Sequence, residues 1–492
     1  MKYVSTREGS GGITASQAIV RGLAPDGGLY VPTELPKVDA DFIRGLCGVD
    51  YRARAVAVLG LFLEEFSKEE LEAIAAASYG DNFDDPAIAP LRLLDDDTAV
   101  LELWHGPTSA FKDMALQIMP RLLTASLKKN GETRTVSILV ATSGDTGKAA
   151  LEGFRDVPGT RIMVFYPRDG VSQIQKLQMA TQEGENVNVI AVNGNFDDCQ
   201  TGVKQIFGDH SFAEQLDSRG FFLSSANSIN WGRLVPQVVY YFSAYCDMVN
   251  AGRIALGDIL DFCVPTGNFG NILAGWFAKK MGLPVGKLVC ASNDNNVLTD
   301  FLATGVYDRN RPFYLTGSPS MDILVSSNLE RLLYCVTGDA GRTAGWMKAL
   351  GEAGRYDVGQ TVLDVIRNDF VGGCCTDAQS REEIARMWRS GYLMDTHTAV
   401  ASRVLKDHRD RTGDTVPCVI VSTASPYKFG GTVLDALGVR TEETGPALMT
   451  ELQDFTGVPA PKPLAALAGK AVRFQSWVEI PDMKDAVGEF LR

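Results

Sequence analysis

From about residue 97 onward, short apolar runs alternate with longer amphipathic ones, and this rhythm restricts the fold more than any other feature of the chain. Strand-like runs are read at Ala99 to Trp104, Val136 to Val140, Ile162 to Phe165, Val187 to Val192, Ile259 to Val264, Leu288 to Ala291 and Val416 to Val421. Helical stretches are read between them at Ala115 to Lys128, Lys148 to Phe154, Ile174 to Thr181, Asp197 to Phe207 and Leu234 to Val249. Strand and helix in repeated succession predict an α/β fold with open parallel sheets covered on both faces. Residues 1–80 read instead as a mainly helical N-terminal domain with an irregular opening. It carries a turn-rich mark at Ala24 to Pro32 and a helix start at Ser67, where Glu70 completes a capping box. Residues 96–455 form the main domain, in two α/β subdomains. Residues 456–492 form a C-terminal extension that begins with a proline-rich surface connector, Thr456 to Pro463.

Bulk properties exclude several function classes. The net charge of -13 argues against a general binder of nucleic acid or anionic membrane, although one locally positive site can still take an anionic substrate. No apolar run reaches the roughly 18 residues of a membrane span. The start, Met1 to Glu8, has no apolar segment of the signal-peptide kind. The nine cysteines are scattered, with Cys374 and Cys375 adjacent and no CxxC spacing. They read as reduced thiols of a cytoplasmic protein, not as a disulfide or zinc framework.

Open α/β sheets bind ligands beyond the carboxyl ends of their strands, and three polar loops fall there. Gly267-Asn268-Phe269-Gly270-Asn271 follows one strand and precedes a helix-like stretch, Ile272 to Met281. Backbone N–H groups and the helix dipole at such a turn suit a phosphate monoester. A branched residue at Gly270 would block close backbone approach and any positive φ there. Thr142-Ser143-Gly144-Asp145-Thr146-Gly147 follows a second strand, and Ser422-Thr423-Ala424-Ser425 a third. The Thr142 loop fails the nucleotide P-loop pattern, since its first glycine position is Thr142 and Lys148 precedes Ala149. Its hydroxyls and N–H groups suit a carboxylate instead.

Upstream, His105-Gly106-Pro107-Thr108-Ser109-Ala110-Phe111-Lys112-Asp113 sets one lysine among apolar neighbours. Desolvation lowers a lysine pKa, and only the neutral amine attacks an aldehyde. Lys112 with a phosphate cradle points to pyridoxal phosphate held as a Schiff base. His105 and His397 read as structural hydrogen-bonding groups in preference to catalytic ones. Arg168 divides evenly between a turn cation and an anchor for a substrate anion.

These segments resemble the threonine synthases, pyridoxal-phosphate enzymes of the tryptophan-synthase-β fold type. Besides the loops above, the likeness rests on Tyr3 to Arg7, on Gly22 to Pro32 with its Asp26-Gly27-Gly28-Leu29 core, and on Ser422 to Phe429. The resemblance implies that Lys112 binds the cofactor aldehyde, that Gly267, Asn268, Phe269, Gly270 and Asn271 hold its phosphate, and that Thr423 meets the pyridine nitrogen. Ser143, Asp145 and Thr146 would line the substrate or ring-hydroxyl side. Asp145 stands where many cofactor relatives have Asn, Ser425 replaces a histidine common in the family, and Tyr427 a small residue.

The resemblance further implies conversion of O-phospho-L-homoserine and water to L-threonine and phosphate, without metal, by a monomer or homodimer. Such a substrate needs two anion pockets. Arg168 and the helix start at Ser172 to Lys176 are the readings for the leaving phosphate. A serine or threonine dehydratase on the same cofactor fold is the rival enzyme, and a non-catalytic descendant the rival binding protein.

Overall fold

Two open sheets carry the alternating part of the chain in this computed structural model, which describes residues 1–7, 11–142, 144–169 and 171–492. The larger sheet has the order Phe370–Cys374, Val285–Ser292, Leu260–Pro265, Cys418–Ser422, Thr98–Glu102, Leu91–Leu93. Its neighbours run parallel except the last pair. The smaller sheet has the order Trp477–Val478, Val187–Val192, Thr160–Pro167, Thr135–Ala141, Phe221–Ser224, and every neighbour is parallel. Strands Thr98–Glu102, Leu260–Pro265 and Cys418–Ser422 are buried along their whole length, as continuous apolar strands between two helical layers must be.

The seven expected strands all form, Val187–Val192 with the expected ends and the other six with shifted ones. The first stops at Glu102 instead of Trp104: the Leu103 amide makes a last bond to the Ser422 carbonyl at 3.0 Å, and the Trp104 indole donates to the Ser422 hydroxyl at 3.1 Å. Proline resets the start of two expected helices. Asp113–Leu116 is followed by a separate helix, Met119–Lys129, with Pro120 in its first turn. Trp231–Leu234 is likewise followed by Pro236–Asn250. Proline has no N–H and fits a first turn, where no intrahelical partner is required.

The N-terminal region pairs Tyr3–Ser5 with Tyr30–Pro32 and adds the helices Ala15–Arg21, Ala40–Cys47, Tyr51–Gly60 and Lys68–Ser78. The last has the expected Ser67–Glu70 capping box. An aromatic joint fastens this region to the main domain. The fully buried Trp231 ring lies 5.2 Å from Tyr3, 5.8 Å from Phe62 and 5.9 Å from Phe277, and each such contact adds about 0.5–1.5 kcal/mol beyond its buried area. A polar joint lies beside it. Arg7 grips Glu330 through two bonds of 2.9 Å, and buried Arg331 donates to the Tyr30 carbonyl at 3.0 Å. Asp26 accepts from the Ser5 hydroxyl and the Gly28 amide, both at 2.8 Å, which closes the Asp26-Gly27-Gly28 turn.

The last residues are part of the smaller subdomain's packing. Helix Met483–Phe490 buries Met483 and Val487 in a cluster with Cys199, Val203, Phe212 and Leu216. Residues 457–461 have no regular secondary structure, with Gly457 in the left-handed conformation that closes the preceding helix, and the Val458 carbonyl accepts the Tyr427 hydroxyl. No helix among the described residues is long and apolar enough to cross a membrane.

Candidate active site

Lys112 opens the short helix Asp113–Leu116 and is 9% exposed. Its loop is sewn to the Thr423 loop, since the Phe111 amide donates to the Thr423 carbonyl at 2.8 Å and Ala110 bridges Ala424. The amine lies 4.8 Å over the Phe111 ring and 3.5 Å from Asp145 Oδ2. Burial lowers its pKa to about 8; Asp145 opposes the fall, and Arg233 and Lys428 add to it. The neighbouring Asp113 carboxyl is pushed up to about 7 by burial, despite bonds from the Thr108 amide and hydroxyl, both at 2.8 Å.

The Gly267 turn leads from strand Leu260–Pro265 into helix Gly270–Met281, whose first N–H groups have no side-chain cap. Positive φ falls on Phe269, at 64°, and Gly270 is not strained; the expectation for Gly270 is corrected on this point. Buried Phe269 is held there by the Phe370 ring at 5.5 Å. Close approach belongs to Gly267, where a Cβ would stand 2.9 Å from the Ser320 carbonyl oxygen. At Gly270 the nearest atom is the more yielding Asn328 Nδ2, at 3.3 Å. Asn268 is exposed, and its carbonyl accepts the Asn328 amide at 3.1 Å. Asn271 Oδ1 accepts from Tyr240 and Tyr241 at 2.6 and 2.8 Å, so its Nδ2 is turned away, buried and unpartnered among the described residues. Thr423 is buried at the end of strand Cys418–Ser422.

The smaller subdomain presents Asp145 at the start of helix Asp145–Phe154. Lys428 Nζ lies 2.6 Å from Asp145 Oδ1, and Gln175 Nε2 donates to the same oxygen at 2.7 Å. The Ser320 hydroxyl reaches Oδ2 at 3.4 Å. Burial would raise the Asp145 pKa, but Lys428 and then Lys112 outweigh it and hold the group well below the usual carboxylate range. Gly144 permits this packing with φ 142°, and a Cβ there would strike the Gln175 amide. Thr146 is half-buried on the same turn, and Ser143 lies outside the described residues. The Thr142 hydroxyl accepts from the Gly144 and Gly147 amides at 3.0 and 2.9 Å, so two donors read as carboxylate ligands are already engaged. Lys148 turns away to Glu152 at 3.0 Å.

Arg168 is not brought to this cluster. It is exposed, with its guanidinium 5.0 Å over the Trp477 ring at the edge of the smaller sheet, and Lys176 is exposed as well. Both histidines have structural partners. His105 lies 2.6 Å from Asp84 and 3.0 Å from Glu102, and these carboxylates overcome burial to raise its pKa to about 9. His397 has Nδ1 on Asp395 at 3.0 Å, while Nε2 accepts the Ser320 amide at 3.1 Å.

Sequence reading gave no place to Ser320 or Arg233, and it named Gln175 only within the Ser172 to Lys176 helix start and Lys428 only within the Ser422 to Phe429 segment. Arg233 is buried and donates to the Ala226 carbonyl at 2.9 Å, with no carboxylate in ion-pair range among the described residues. Burial pulls its pKa down to about 10. Lys428 carried a signal of its own, as a charged residue a few positions past a buried strand and an Ala-Ser-Pro turn.

Two mainly parallel sheets with a buried lysine and a glycine turn at their strand ends define a class, and residues 98–424 match its family, described as pyridoxal-phosphate dependent enzyme. Residues 2–79 match the family described as threonine synthase N terminus, and residues 398–475 that described as threonine synthase, C-terminal. The chain belongs to the threonine synthase family. It is 40% identical to the threonine synthase of Pseudomonas aeruginosa, covering 92% of this chain and 93% of that protein. It is 41% identical to human threonine synthase-like 1 over 90% of this chain, but spans only 61% of that protein's length. A crystal structure of threonine synthase from Brucella melitensis with bound PLP superposes with a TM-score of 0.89 at 38% identity, covering 100% of both chains.

Proposed function

We propose that the protein is a threonine synthase, a pyridoxal-phosphate lyase that turns O-phospho-L-homoserine and water into L-threonine and phosphate. The observation that carries this reading is the placement of Lys112, a buried amine of lowered pKa, 3.5 Å from Asp145, with Ser320 joining that carboxylate to the Gly267 turn through its hydroxyl on one side and its carbonyl on the other. The site fits the cofactor. Uncapped N–H groups and the unpartnered Asn271 amide suit its phosphate, and the buried Thr423 hydroxyl suits its ring nitrogen. When bound, pyridoxal phosphate supplies an electron sink for the substrate carbon skeleton.

The protein's own groups do the rest. Lys112, once its nitrogen is released by the incoming substrate amine, is a neutral base that moves the proton at Cα. Asp145 keeps that amine within reach, and Lys428, Gln175 and Ser320 keep Asp145 in place. Arg233 is the best-supported receptor for a substrate anion. A buried guanidinium without a carboxylate is costly until an anion arrives, and Arg168 is committed to Trp477. We place the enzyme in the cytoplasm, as a monomer or homodimer without nucleic-acid or membrane partners; its net charge of -13 supports the last point.

The test is incubation of purified holoenzyme with O-phosphohomoserine, homoserine and L-serine, with threonine, phosphate and 2-oxo acid measured in parallel. Threonine and phosphate should appear in equal amounts from phosphohomoserine alone. Faster 2-oxo acid from serine would instead assign a dehydratase.

A further inference from the structure

Asp145 serves two lysines unequally. Lys428 stands 2.6 Å from Oδ1, a full charge-assisted hydrogen bond, whereas Lys112 stands 3.5 Å from Oδ2. Gln175 takes more of Oδ1 at 2.7 Å, and Ser320 shares Oδ2 at 3.4 Å. Lys428 cannot easily leave. Its side chain is fully buried, it donates to the Thr108 carbonyl at 3.0 Å, and its neighbours Tyr427 and Phe429 are fixed on the Val458 carbonyl and the His397 ring. The other charged groups around the pair are Asp113 on the Lys112 helix and Arg233 across from it, and neither pairs with Lys428 or Lys112.

A carboxylate paired tightly with Lys112 would hold that amine as an ammonium ion, inert as nucleophile and base. A carboxylate removed altogether would leave it unplaced. We infer that Lys428 is a positioning residue that takes up the charge of Asp145, so that Asp145 orients Lys112 without locking it in the protonated state. The arrangement gives one anion a structural cation and a reactive one, and geometry decides which is which. The inference rests on Lys112 being the reactive amine of the proposed function.

The test is made on apoenzyme, stripped of cofactor and offered no substrate, so that it is decided separately from the activity. Lys112 is labelled competitively with acetic anhydride, which acylates only neutral amines, and the labelled peptide is quantified by mass spectrometry against pH. In native apoenzyme the label should rise through a midpoint near the pKa of about 8. In Lys428→Met, Asp145 is left to Lys112, and acylation at pH 7 should be about tenfold slower, with the midpoint moved upward. Lys428→Arg keeps the charge and should keep the native profile. Asp145→Asn should move the midpoint downward, and serves if Lys428→Met does not fold. An unchanged or lowered midpoint in Lys428→Met, a Lys428→Arg profile as slow as that of Met, or a raised midpoint in Asp145→Asn would each overturn the inference.

Discussion

The two sheets meet the candidate site with different chemistry. The larger sheet offers mainly backbone: uncapped N–H groups after Gly267, a carbonyl stitch between Phe111 and Thr423, and glycine where a side chain would not fit. The smaller subdomain offers a buried carboxylate, Asp145, held by Gln175 and, from the larger side, by Lys428 and Ser320. Backbone sites fail when volume is added, and charge networks fail when one member is removed. Under the proposed function the contrast would separate holding the cofactor from running the reaction, and each half can be attacked alone.

The largest effect is expected where the halves meet. Lys112→Ala should lower turnover by roughly three or more orders of magnitude, since attacking amine and base vanish together. Threonine and phosphate release measures it, and a variant with even a few per cent of native activity would remove Lys112 from its role. On the charged side, Asp145→Asn should cost about 10²-fold in turnover while the cofactor's absorbance survives dialysis. If absorbance and turnover fall together, the division of labour is wrong.

On the backbone side, Gly267→Val should lose cofactor on dialysis, with affinity lowered by about tenfold to a hundredfold and an unchanged far-ultraviolet spectrum. Gly270→Ala should be far milder, because the atom it meets is a movable amide at 3.3 Å and not a backbone oxygen at 2.9 Å. Equal losses in the two variants would move the tight spot. The rate of cofactor loading on apoenzyme gives a smaller, continuous measure. With the Lys112 pKa lowered to about 8, the neutral amine increases as pH rises. Loading should quicken about tenfold per pH step below 8 and level off above it; a flat profile from pH 6 to 8 would contradict the lowered pKa.

His105 should matter least to the reaction. Its pKa, raised from 6.5 to about 9, means that the folded state gains from the charged ring. That gain is fully present below 6.5 and is lost as pH rises through about 9. His105→Gln should cost about 2–3 kcal/mol of stability at pH 6 and little at pH 10, with turnover changed less than about twofold. Denaturant melts at both pH values check this, and equal losses at the two would make the effect one of packing.

The legible part of the fold was its middle. Seven strands with long apolar runs could be read from the chain, but Phe370–Cys374 could not, because Gly372 and Gly373 dilute its apolar character. Leu91–Leu93 and Trp477–Val478 are short edge strands, and pairing, not composition, makes them strands. In the site, Lys112 and the Gly267 turn announced themselves because each is a contiguous motif. Gln175, Ser320, Lys428 and Arg233 are scattered over the chain, and only tertiary folding brings the first three to Asp145. Arg168 misled for the opposite reason. It sits at a strand's carboxyl end, as a ligand anchor should, but Trp477 arrives from the far end of the chain to claim it.

That late arrival has a consequence for how the chain is born. Trp477 and Val478 pair with Ala191 and Val192, which the ribosome releases more than half a chain length earlier. At about 5–20 residues per second, the open edge of the smaller sheet waits roughly tens of seconds for its last strand. Throughout that wait, Ala191 and Val192 present unpaired backbone to any passing strand, the condition under which nascent chains stick to one another. A chain cut short before residue 477 would keep Lys112, Asp145 and the Gly267 turn, and would carry that open edge for its whole lifetime.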